Sequence, residues 1–358
     1  MRALTVRPGE AGSLALTDMA EPPAEDGPVL VEALAVGLCG TDTEIVNAEY
    51  GEAPPGFDVL VLGHENLGRV VSTAAGSDLP NGNLPGGDLA VGDLVVGIVR
   101  RPDRVPCDAC AMGEWDMCRN GEYTEHGIKG LHGFARERWR GQPDAMVKLD
   151  PGLAEVGVLL EPTTVVAKAW EQIFRIGKRA YFGPKIAAVT GAGPIGLLAA
   201  LMGVQAGLEV HVYDIVKDGP KPDLVADLGA HYHSVSLPQG GVMPDVVVEC
   251  TGVSSVIVDA ITHNAIDGMV CLTGVSSVGL SLPLDVGALN RMAVLQNDVV
   301  FGTVNANRRH YEAAAAALSA ADQAWLQRLI TRRVSLDDYA DGFAKRPDDV
   351  KVVIDFAA

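Results

Sequence analysis

A glycine-rich segment between an apolar strand and an apolar helix constrains the fold of this chain more than any other feature. Ile186–Val189 predicts a buried strand, and the GAGPIG segment that begins at Gly191 leads straight into apolar residues with helical spacing. In this setting the first glycine allows a tight turn, the second lets backbone approach a pyrophosphate, and the third lets the helix pack on the strand. A tight turn that binds nothing is the alternative. The predicted dinucleotide-binding residues here are Gly191, Gly193, Pro194, Ile195 and Gly196.

An acidic residue about 20 positions further on is expected to bind the ribose of such a dinucleotide. Asp214 ends the apolar run VHVYD, 23 residues after Gly191. A carboxylate there accepts the ribose hydroxyls of NAD and repels a 2′-phosphate. The segment 215–218 contains no arginine, and Lys217 is the only nearby cation, so we predict NAD rather than NADP. Thr251 and Asn305 are further candidate cofactor-binding residues.

Strands and helices alternate on both sides of the glycine-rich segment, which predicts a parallel sheet covered on both faces. The predicted strands are Ile186–Val189, Glu209–Tyr213, Asp245–Val248 and Met269–Thr273. The predicted helices are Pro162–Ile176, Pro194–Ala206, Ser255–Ala265 and Arg308–Ala321.

The first third of the chain is instead rich in short β-like runs separated by turn residues, which predicts a sandwich or a partly open barrel. These runs are Val29–Val36, Asn66–Val71 and Leu94–Val99, and Gly76–Asp88 is predicted to be a loop. The strand-like C-terminal segment Val350–Phe356 is expected to return to this first domain.

The overall charge excludes several classes of partner. The chain has 358 residues, enough for two domains, with 28 Lys+Arg against 46 Asp+Glu and a net charge of −18. This balance argues against nucleic acid or an anionic membrane as a partner. We find no apolar run long enough for a membrane helix and no signal peptide, and we predict a cytoplasmic protein.

Two short motifs in the β-rich part carry metal-ligand side chains. The first is CGTD, which begins at Cys39, and the second is GHE, which contains His64 and Glu65. Thiolate, imidazole and carboxylate are the ligands of catalytic zinc sites, which keep one position open. Taken singly, a cysteine after a strand is more often a small core residue, and a lone histidine a satisfied polar group.

Three of the six cysteines, Cys107, Cys110 and Cys118, lie within twelve residues, which indicates metal binding rather than disulfides. Cys250 and Cys271 lie in apolar strand-like runs and are predicted to be buried in the core.

These motifs together resemble the zinc-dependent medium-chain dehydrogenase/reductase superfamily, and the resemblance runs from Cys39 to about Asn305. Further segments resemble its archaeal-type glucose (aldose) dehydrogenase branch: Val99–Pro102, Gly121–Tyr123, Glu125–Ile128, His132–Phe134, Leu160–Pro162 and Gly302–Asn305. The resemblance implies an α/β protein with a GroES-like β-rich catalytic domain (1–164 and 308–358) and a Rossmann domain with a doubly wound parallel sheet (165–307).

The resemblance also implies the residues of the catalytic centre. Zinc would be held by Cys39, His64 and Glu161, with Glu65 entering or leaving the ligand set. Zinc stabilises the alkoxide of a bound hydroxyl, and a hydride then passes to the nicotinamide. Thr41 would relay the proton, although a hydroxyl at this position can also simply cap a turn.

For sugar recognition the resemblance points to Glu125 and Asn305, which come from different domains and would reach a sugar bound between zinc and nicotinamide. The alternative for Glu125 is a solvated surface residue. Some members of the family have Asn at the position of Val99, so one sugar contact is absent and the substrate is left open.

The cysteine cluster matches the last three ligands of the superfamily's structural-zinc lobe, whose pattern is four cysteines. Structural zinc is almost always four-coordinate, so a fourth ligand is required. Asp103 and Asp116 are the candidates, and Asp108 is less favoured. Loss of this zinc, with three reduced thiols left, is the alternative.

We therefore expect a zinc- and NAD(P)-dependent dehydrogenase that oxidises the C1 hydroxyl of an aldose such as glucose to the lactone. One alternative is oxidation of a secondary alcohol of a polyol, a cyclitol or a sugar-like intermediate. Another is a zinc- and nucleotide-binding protein without turnover. A homo-oligomer, either dimer or tetramer, is expected.

Overall fold

The computed structural model of the chain describes residues 1–73, 89–276, 279 and 281–356. The chain divides into two units, one formed by Met1–Glu161 with Ala306–Ala358 and the other by Pro162–Asn305. The loop predicted at Gly76–Asp88 lies outside the described residues.

The N-terminal part of the chain is mainly β-structure, and its elements are numbered in chain order. The strands are β1 (Arg2–Val6), β2 (Ala15–Asp18), β3 (Val29–Leu38), β4 (Leu60–Val61), β5 (Glu65–Thr73), β6 (Leu94–Gly97), β7 (Arg100–Arg101), β8 (Thr124–His126), β9 (Gly130–Leu131), β10 (Arg138–Gly141) and β11 (Met146–Lys148). The helices are α1 (Gly40–Val46) and α2 (Asp108–Ala111).

From residue 160 onward, strands and helices alternate. The elements are α3 (Leu160–Gly177), β12 (Ile186–Thr190), α4 (Pro194–Gln205), β13 (Glu209–Tyr213), α5 (Pro220–Asp227), β14 (His231–His233), β15 (Val246–Glu249), α6 (Ser254–Thr262), β16 (Met269–Leu272), α7 (Val286–Gln296) and β17 (Val299–Gly302). The C-terminal segment adds α8 (Arg308–Ser319), α9 (Gln323–Leu329), β18 (Ile330–Ser335), α10 (Tyr339–Phe343) and β19 (Lys351–Asp355).

The main sheet of the first unit has the strand order β11-β6-β5-β3-β19-β18, with β10 also paired to β3. Alternate residues of β3, such as Val29 and Val31, are fully buried, and the rings of Phe134 and Trp139 pack edge to face with centroids 4.7 Å apart. The C-terminal strand β19 pairs antiparallel with β3, which confirms the predicted return of the tail. Two small sheets, β2-β1-β4 and β7-β8-β9, complete this unit.

The sheet of the second unit has the order β14-β13-β12-β15-β16-β17, and every described pair in it is parallel. This order is that of a doubly wound dinucleotide-binding fold, in which ligands bind where the strand order reverses, here between β12 and β15. The predicted parallel sheet is thus confirmed. The edge strand β14 was not predicted, because it has three residues and two of them are histidines.

The predicted helices are present, with ends that shift by a few residues. The predicted helix at Ser255–Ala265 ends at Thr262, because His263 leaves the helical conformation with φ −135°. Within the described residues, no helix combines the length and the apolar character that crossing a membrane requires.

Candidate functional site

Cys39 lies at the junction of β3 and α1, where it caps the helix. Its backbone N–H donates to Asp42 Oδ2 (3.0 Å), and its Sγ accepts from the backbone N–H of Thr41 (3.3 Å). Reciprocal bonds of this kind satisfy donors that a helix N-terminus otherwise leaves open. The helix cap therefore uses the side chains of Cys39 and Asp42, and Thr41 is half-buried beside the thiol.

His64 meets the thiol of Cys39 from the start of β5. Its Nε2 lies 3.0 Å from Cys39 Sγ, and its Nδ1 lies 3.5 Å from Asp42 Oδ1. Burial by itself lowers the pKa of His64, but the charges and hydrogen bonds of Cys39 and Asp42 raise it well above its ordinary value. The groups around His64 therefore favour a positive charge on its imidazole. A metal ion bound to the imidazole would supply that positive charge instead.

Glu65 completes a group that we call the Cys39 cluster: Cys39, His64 and Glu65, whose ligand atoms all lie within 4.8 Å of one another. A thiolate, an imidazole and a carboxylate form a donor set that zinc accepts. Gly37 leaves room for this carboxylate, because a Cβ at this position would overlap Glu65 Oε2.

A buried ion pair holds Glu65. Lys351 Nζ donates to both carboxylate oxygens of Glu65 (2.7 and 2.6 Å) and to the carbonyl oxygen of Leu38 (3.1 Å). Burial opposes the charge of Lys351, but Glu65 and Cys39 raise its pKa. Lys351 is not among the site residues predicted from the sequence. The feature that could have indicated it is a lysine inside the apolar run of the C-terminal strand.

Glu161 is the second residue of α3 and lies within electrostatic reach of the Cys39 cluster. Burial raises the pKa of its carboxyl to about 7, with the charges of Glu65 and Asp42 adding to the rise and those of His64 and Lys351 opposing it. A carboxyl that exchanges its proton near neutral pH can become a carboxylate when a cation binds beside it.

Glu125 is only 3% exposed, so it is not a solvated surface residue. Its carboxylate accepts from Arg100 Nε (3.1 Å) across the paired strands β7 and β8. The guanidinium of Arg100 lies 3.6 Å from the centre of the Tyr123 ring. Nearby, the buried hydroxyl of Tyr311 accepts from the N–H of Val99 (3.1 Å). Arg100 and Tyr311 were missed because no local spacing links them to Glu125.

The second metal-type cluster, which we call the cysteine lobe, consists of Asp103, Cys107, Cys110 and Cys118. Their ligand atoms all lie within 4.8 Å of one another, and Asp103 Oδ2 lies 3.4 Å from the Cys118 Sγ. Three thiols and a carboxylate give the four donors of a structural zinc site.

The thiols of the lobe differ in acidity. Backbone N–H groups of Arg119 and Cys110 lower the pKa of Cys107 to about 7, whereas burial raises that of Cys110 to about 12.

The other two candidate carboxylates do not join the group of four ligand atoms. Asp116 Oδ1 accepts from Asn307 Nδ2 (2.8 Å), and its Oδ2 lies 4.0 Å from His310 Nδ1. Asp108 is exposed at the start of α2. The structure thus brings Asp103, and neither Asp116 nor Asp108, to the three cysteines.

In the second unit, the glycine-rich segment joins β12 to α4. Gly191 has φ +87°, and a Cβ at Gly196 would lie 1.8 Å from the Gly191 carbonyl oxygen. At Gly193, which precedes the first turn of α4, no described atom lies within 4 Å of the position that a Cβ would take. Pro194 and Ile195 form the first turn of the helix. The loop therefore presents open backbone at a helix N-terminus, as phosphate binding requires.

Asp214 is fixed against this loop. Its carboxylate accepts from the N–H groups of Ala192 (2.7 Å) and Val216 (3.0 Å) and pairs with Lys221 Nζ (3.1 Å). Burial opposes ionisation, but these partners lower the pKa of Asp214. The prediction that Lys217 is the only nearby cation was wrong, because α5 begins just after Gly219 and places Lys221 against the carboxylate.

Thr251 and Asn305, the other two candidate cofactor-binding residues, belong to the same unit. Thr251 follows β15, and its N–H donates to the buried Glu249 (2.7 Å), while its methyl group lies beside Gly191. Asn305 follows β17 in a left-handed conformation with φ +62°.

All six cysteines are free thiols. Cys271 is fully buried and Cys250 is half-buried, and burial raises the pKa of Cys250 to about 12. The prediction of a buried core position therefore holds fully for Cys271 only.

Comparison with known proteins places the chain in a family. The sequence matches the family model "Alcohol dehydrogenase GroES-like domain" over residues 25–151 and "Glucose dehydrogenase C-terminus" over residues 154–356. Two curated relatives are glucose 1-dehydrogenases, from Methanocella arvoryzae (38% identity, 100% of both chains covered) and Thermoproteus tenax (39%, 99% of both).

A similar solved structure is that of Haloferax mediterranei glucose dehydrogenase in complex with NADP, Zn and gluconolactone. It has a TM-score of 0.89 and 30% identity, with 100% of both chains covered. These matches confirm the GroES-like domain and the Rossmann-type sheet. The chain belongs to the glucose dehydrogenase branch of the zinc-dependent medium-chain dehydrogenase/reductase superfamily.

Proposed function

We propose that this chain oxidises the C1 hydroxyl of an aldose such as glucose to the lactone, with hydride transfer to a nicotinamide nucleotide. The observation that carries the proposal is that the ligand atoms of Cys39, His64 and Glu65 lie within 4.8 Å of one another. The chain also matches glucose dehydrogenases along its whole length. The Haloferax mediterranei relative, whose structure contains NADP, Zn and gluconolactone, supports the same chemistry.

Cys39, His64 and Glu161 would hold the catalytic zinc, with Glu65 entering or leaving the set, and the bound metal would lower the pKa of the sugar hydroxyl. Asp42 faces the Nδ1 side of His64 and so orients Nε2 toward Cys39. Lys351 neutralises Glu65 and holds its carboxylate within the Cys39 cluster. Thr41 is half-buried, with its backbone N–H on the thiol, and its hydroxyl would relay the proton that the sugar releases onward to solvent.

NAD is the proposed cofactor in preference to NADP. Asp214 is held at the glycine-rich loop by Ala192, where a carboxylate faces the ribose hydroxyls of a dinucleotide. Lys221 is already paired with Asp214 and does not provide an independent phosphate ligand. Replacing the 92% exposed Ile215 by Arg, alone or with Asp214→Ser, should shift the kcat/KM ratio toward NADP by roughly ten- to a hundredfold. A higher kcat/KM with NADP in the wild-type protein would contradict the proposal.

A structural zinc in the cysteine lobe is proposed, with Asp103 as the fourth ligand. The close approach of its carboxylate to Cys118 and Cys110 (3.4 and 3.8 Å) supports this choice over Asp116.

A homo-oligomer is also proposed. In the second unit, exposed apolar side chains lie on α7 and on the edge strand β17, and α7 buries none of its residues. These side chains are Val286, Val294, Leu295 and Val300. Exposed apolar surface of this kind is stabilised when a second chain covers it.

The compartment proposed for the protein is the cytoplasm. The six free thiols fit a reducing compartment of this kind.

The decisive test of the activity is a substrate panel. The zinc-loaded protein is assayed with aldoses, polyols, cyclitols and simple alcohols, with NAD and NADP, and the sugar product is identified as lactone or ketose. We expect oxidation of an aldose to the lactone, and Glu125→Gln should lower kcat/KM for that sugar about tenfold while sparing simple alcohols. Oxidation of polyols alone, or no turnover at all, would contradict the proposal.

A further inference from the structure

Three of the eight histidines of the chain lie together on one face of the second unit's sheet, at the edge formed by β13 and β14. These parallel strands pair with His211 opposite His231, and Tyr213 opposite His233. Side chains alternate along a strand, so Glu209 lies on the same face as His211. We call Glu209, His211, His231 and His233 the edge histidine cluster.

The polar atoms of this cluster converge. Glu209 Oε1 lies 3.1 Å from His211 Nε2 and 3.8 Å from His231 Nε2. The rings of His211 and His231 stack with centroids 4.8 Å apart. Bonds of about 2.0–2.1 Å from zinc to nitrogen or oxygen require donor atoms roughly 3.3–3.5 Å apart in a tetrahedral site, and the two measured distances bracket that value.

The other nitrogen of His211 has a partner as well. His211 Nδ1 lies 2.8 Å from His233 Nε2. A metal-ligating histidine normally donates its second N–H to an acceptor, which fixes the tautomer and the ring orientation. Without an ion, His211 Nε2–H donates to Glu209 Oε1; with an ion bound, Nδ1–H can donate to His233 instead, which frees the Nε2 lone pair for the ion beside Glu209 and His231.

A buried histidine is unusual on a strand inside a parallel sheet, and His211 on β13 is one. A strand inside a parallel sheet is normally apolar on both faces, and Val210 and Val212 follow this rule on the opposite face of β13. His211, however, is 93% buried (7% exposed), whereas the side chains of Glu209 and His231 are more than half exposed. An ion from solvent can therefore reach a preoriented imidazole.

We propose that Glu209, His211 and His231 form a binding site for a divalent first-row transition-metal ion such as Ni²⁺, with His233 as the residue that orients His211. Imidazole and carboxylate are the donors that suit these ions. The ion would link the three-residue edge strand β14 to β13. Glu209 begins β13 and Asp214 follows its end, roughly 16 Å away at about 3.3 Å per residue, so the site is separate from the nucleotide loop and independent of the proposed activity.

Equilibrium dialysis of the untagged, zinc-loaded protein against Ni²⁺ tests the proposal, with zinc and nickel counted in the same sample. The wild-type protein should take up one additional Ni²⁺ per chain while its zinc content stays constant. His231→Gln and Glu209→Gln should each weaken this binding at least tenfold. Both side chains are mostly exposed, so the variants should fold, which circular dichroism verifies. His263→Gln, at the end of α6 in the same unit, is the matched control and should bind like wild type.

A second readout localises the ion. Hydrogen exchange of the β14 amides should slow on addition of Ni²⁺ in the wild-type protein and in His263→Gln, but not in His231→Gln. No additional Ni²⁺ in the wild-type protein would overturn the proposal. So would binding of equal strength in both cluster variants, since it would place the ion elsewhere.

Discussion

The Cys39 cluster and the cysteine lobe both gather thiol and carboxylate groups, but the chain assembles them differently. The lobe is local, since its first and last residues, Asp103 and Cys118, are 15 positions apart. The Cys39 cluster joins residues 25 positions apart, and its charge balance is non-local, because Lys351, which neutralises Glu65, is 286 positions away. A local cluster needs only a turn to form, whereas the Cys39 cluster requires the folded sheet. The difference supports the proposal that the lobe has a structural role and the Cys39 cluster a catalytic one, because only the Cys39 cluster depends on a distant buried charge.

The largest expected effect comes from the imidazole of the Cys39 cluster. His64→Ala removes a ligand of the proposed open zinc site, and kcat/KM should fall by about ten-thousandfold, equivalent to ~5.5 kcal/mol. Binding of NAD, measured by calorimetry, should be preserved, because the glycine-rich loop belongs to the other unit. His263→Gln provides the control. A variant that retains full activity would show that His64 has no part in the chemistry.

Lys351→Met tests the non-local support of the cluster. The variant leaves Glu65 buried without its cation, and removal of one partner from a buried pair costs about 3–5 kcal/mol. Urea unfolding followed by fluorescence should detect this loss. The double variant Lys351→Met with Glu65→Gln should recover part of it, because the uncompensated charge is gone. Equal stability of the single variant and wild type would mean that the ion pair is unimportant.

Asp103→Asn is the corresponding change in the cysteine lobe. We expect the loss of one zinc per chain and a drop in stability of at least about 2 kcal/mol, with kcat/KM changed less than threefold in the folded protein. Asp108→Asn, at an exposed position next to Cys107, should behave like wild type in metal analysis and thermal unfolding. If Asp103→Asn retains its zinc, the fourth ligand lies elsewhere.

The smallest effect is a pH dependence that separates the two clusters. Burial raises the pKa of Glu161 to about 7, so below pH 7 a proton must leave this carboxyl before a cation can bind. Zinc affinity of the Cys39 cluster, measured on Asp103→Asn protein, should fall with decreasing pH below 7, by up to about tenfold per unit from this group. Glu161→Gln should flatten that part of the profile. An unchanged slope in this variant would remove Glu161 from the ligand set.

Much of this organisation could be predicted from the sequence because its signals are local. The GAGPIG segment between β12 and α4, the position of Asp214 and the spacing of the three cysteines each lie within short stretches of chain. The partners of the buried charges could not be predicted. Lys351, Arg100 and Tyr311 reach their partners only through strand pairing and packing, which leave no spacing to read. The choice of Asp103 over Asp116 likewise depended on how the lobe folds, since both aspartates are near the cysteines in sequence.

The most direct test is whether the Cys39 cluster and the cysteine lobe hold separate zinc ions. Zinc per folded chain and the rate of glucose oxidation are measured for the wild-type protein, His64→Ala and Asp103→Asn. We predict two zinc ions and activity in the wild type, one zinc and no activity in His64→Ala, and one zinc with activity retained in Asp103→Asn. A single zinc in the wild-type protein, or two in active His64→Ala protein, would contradict the assignment of separate catalytic and structural sites.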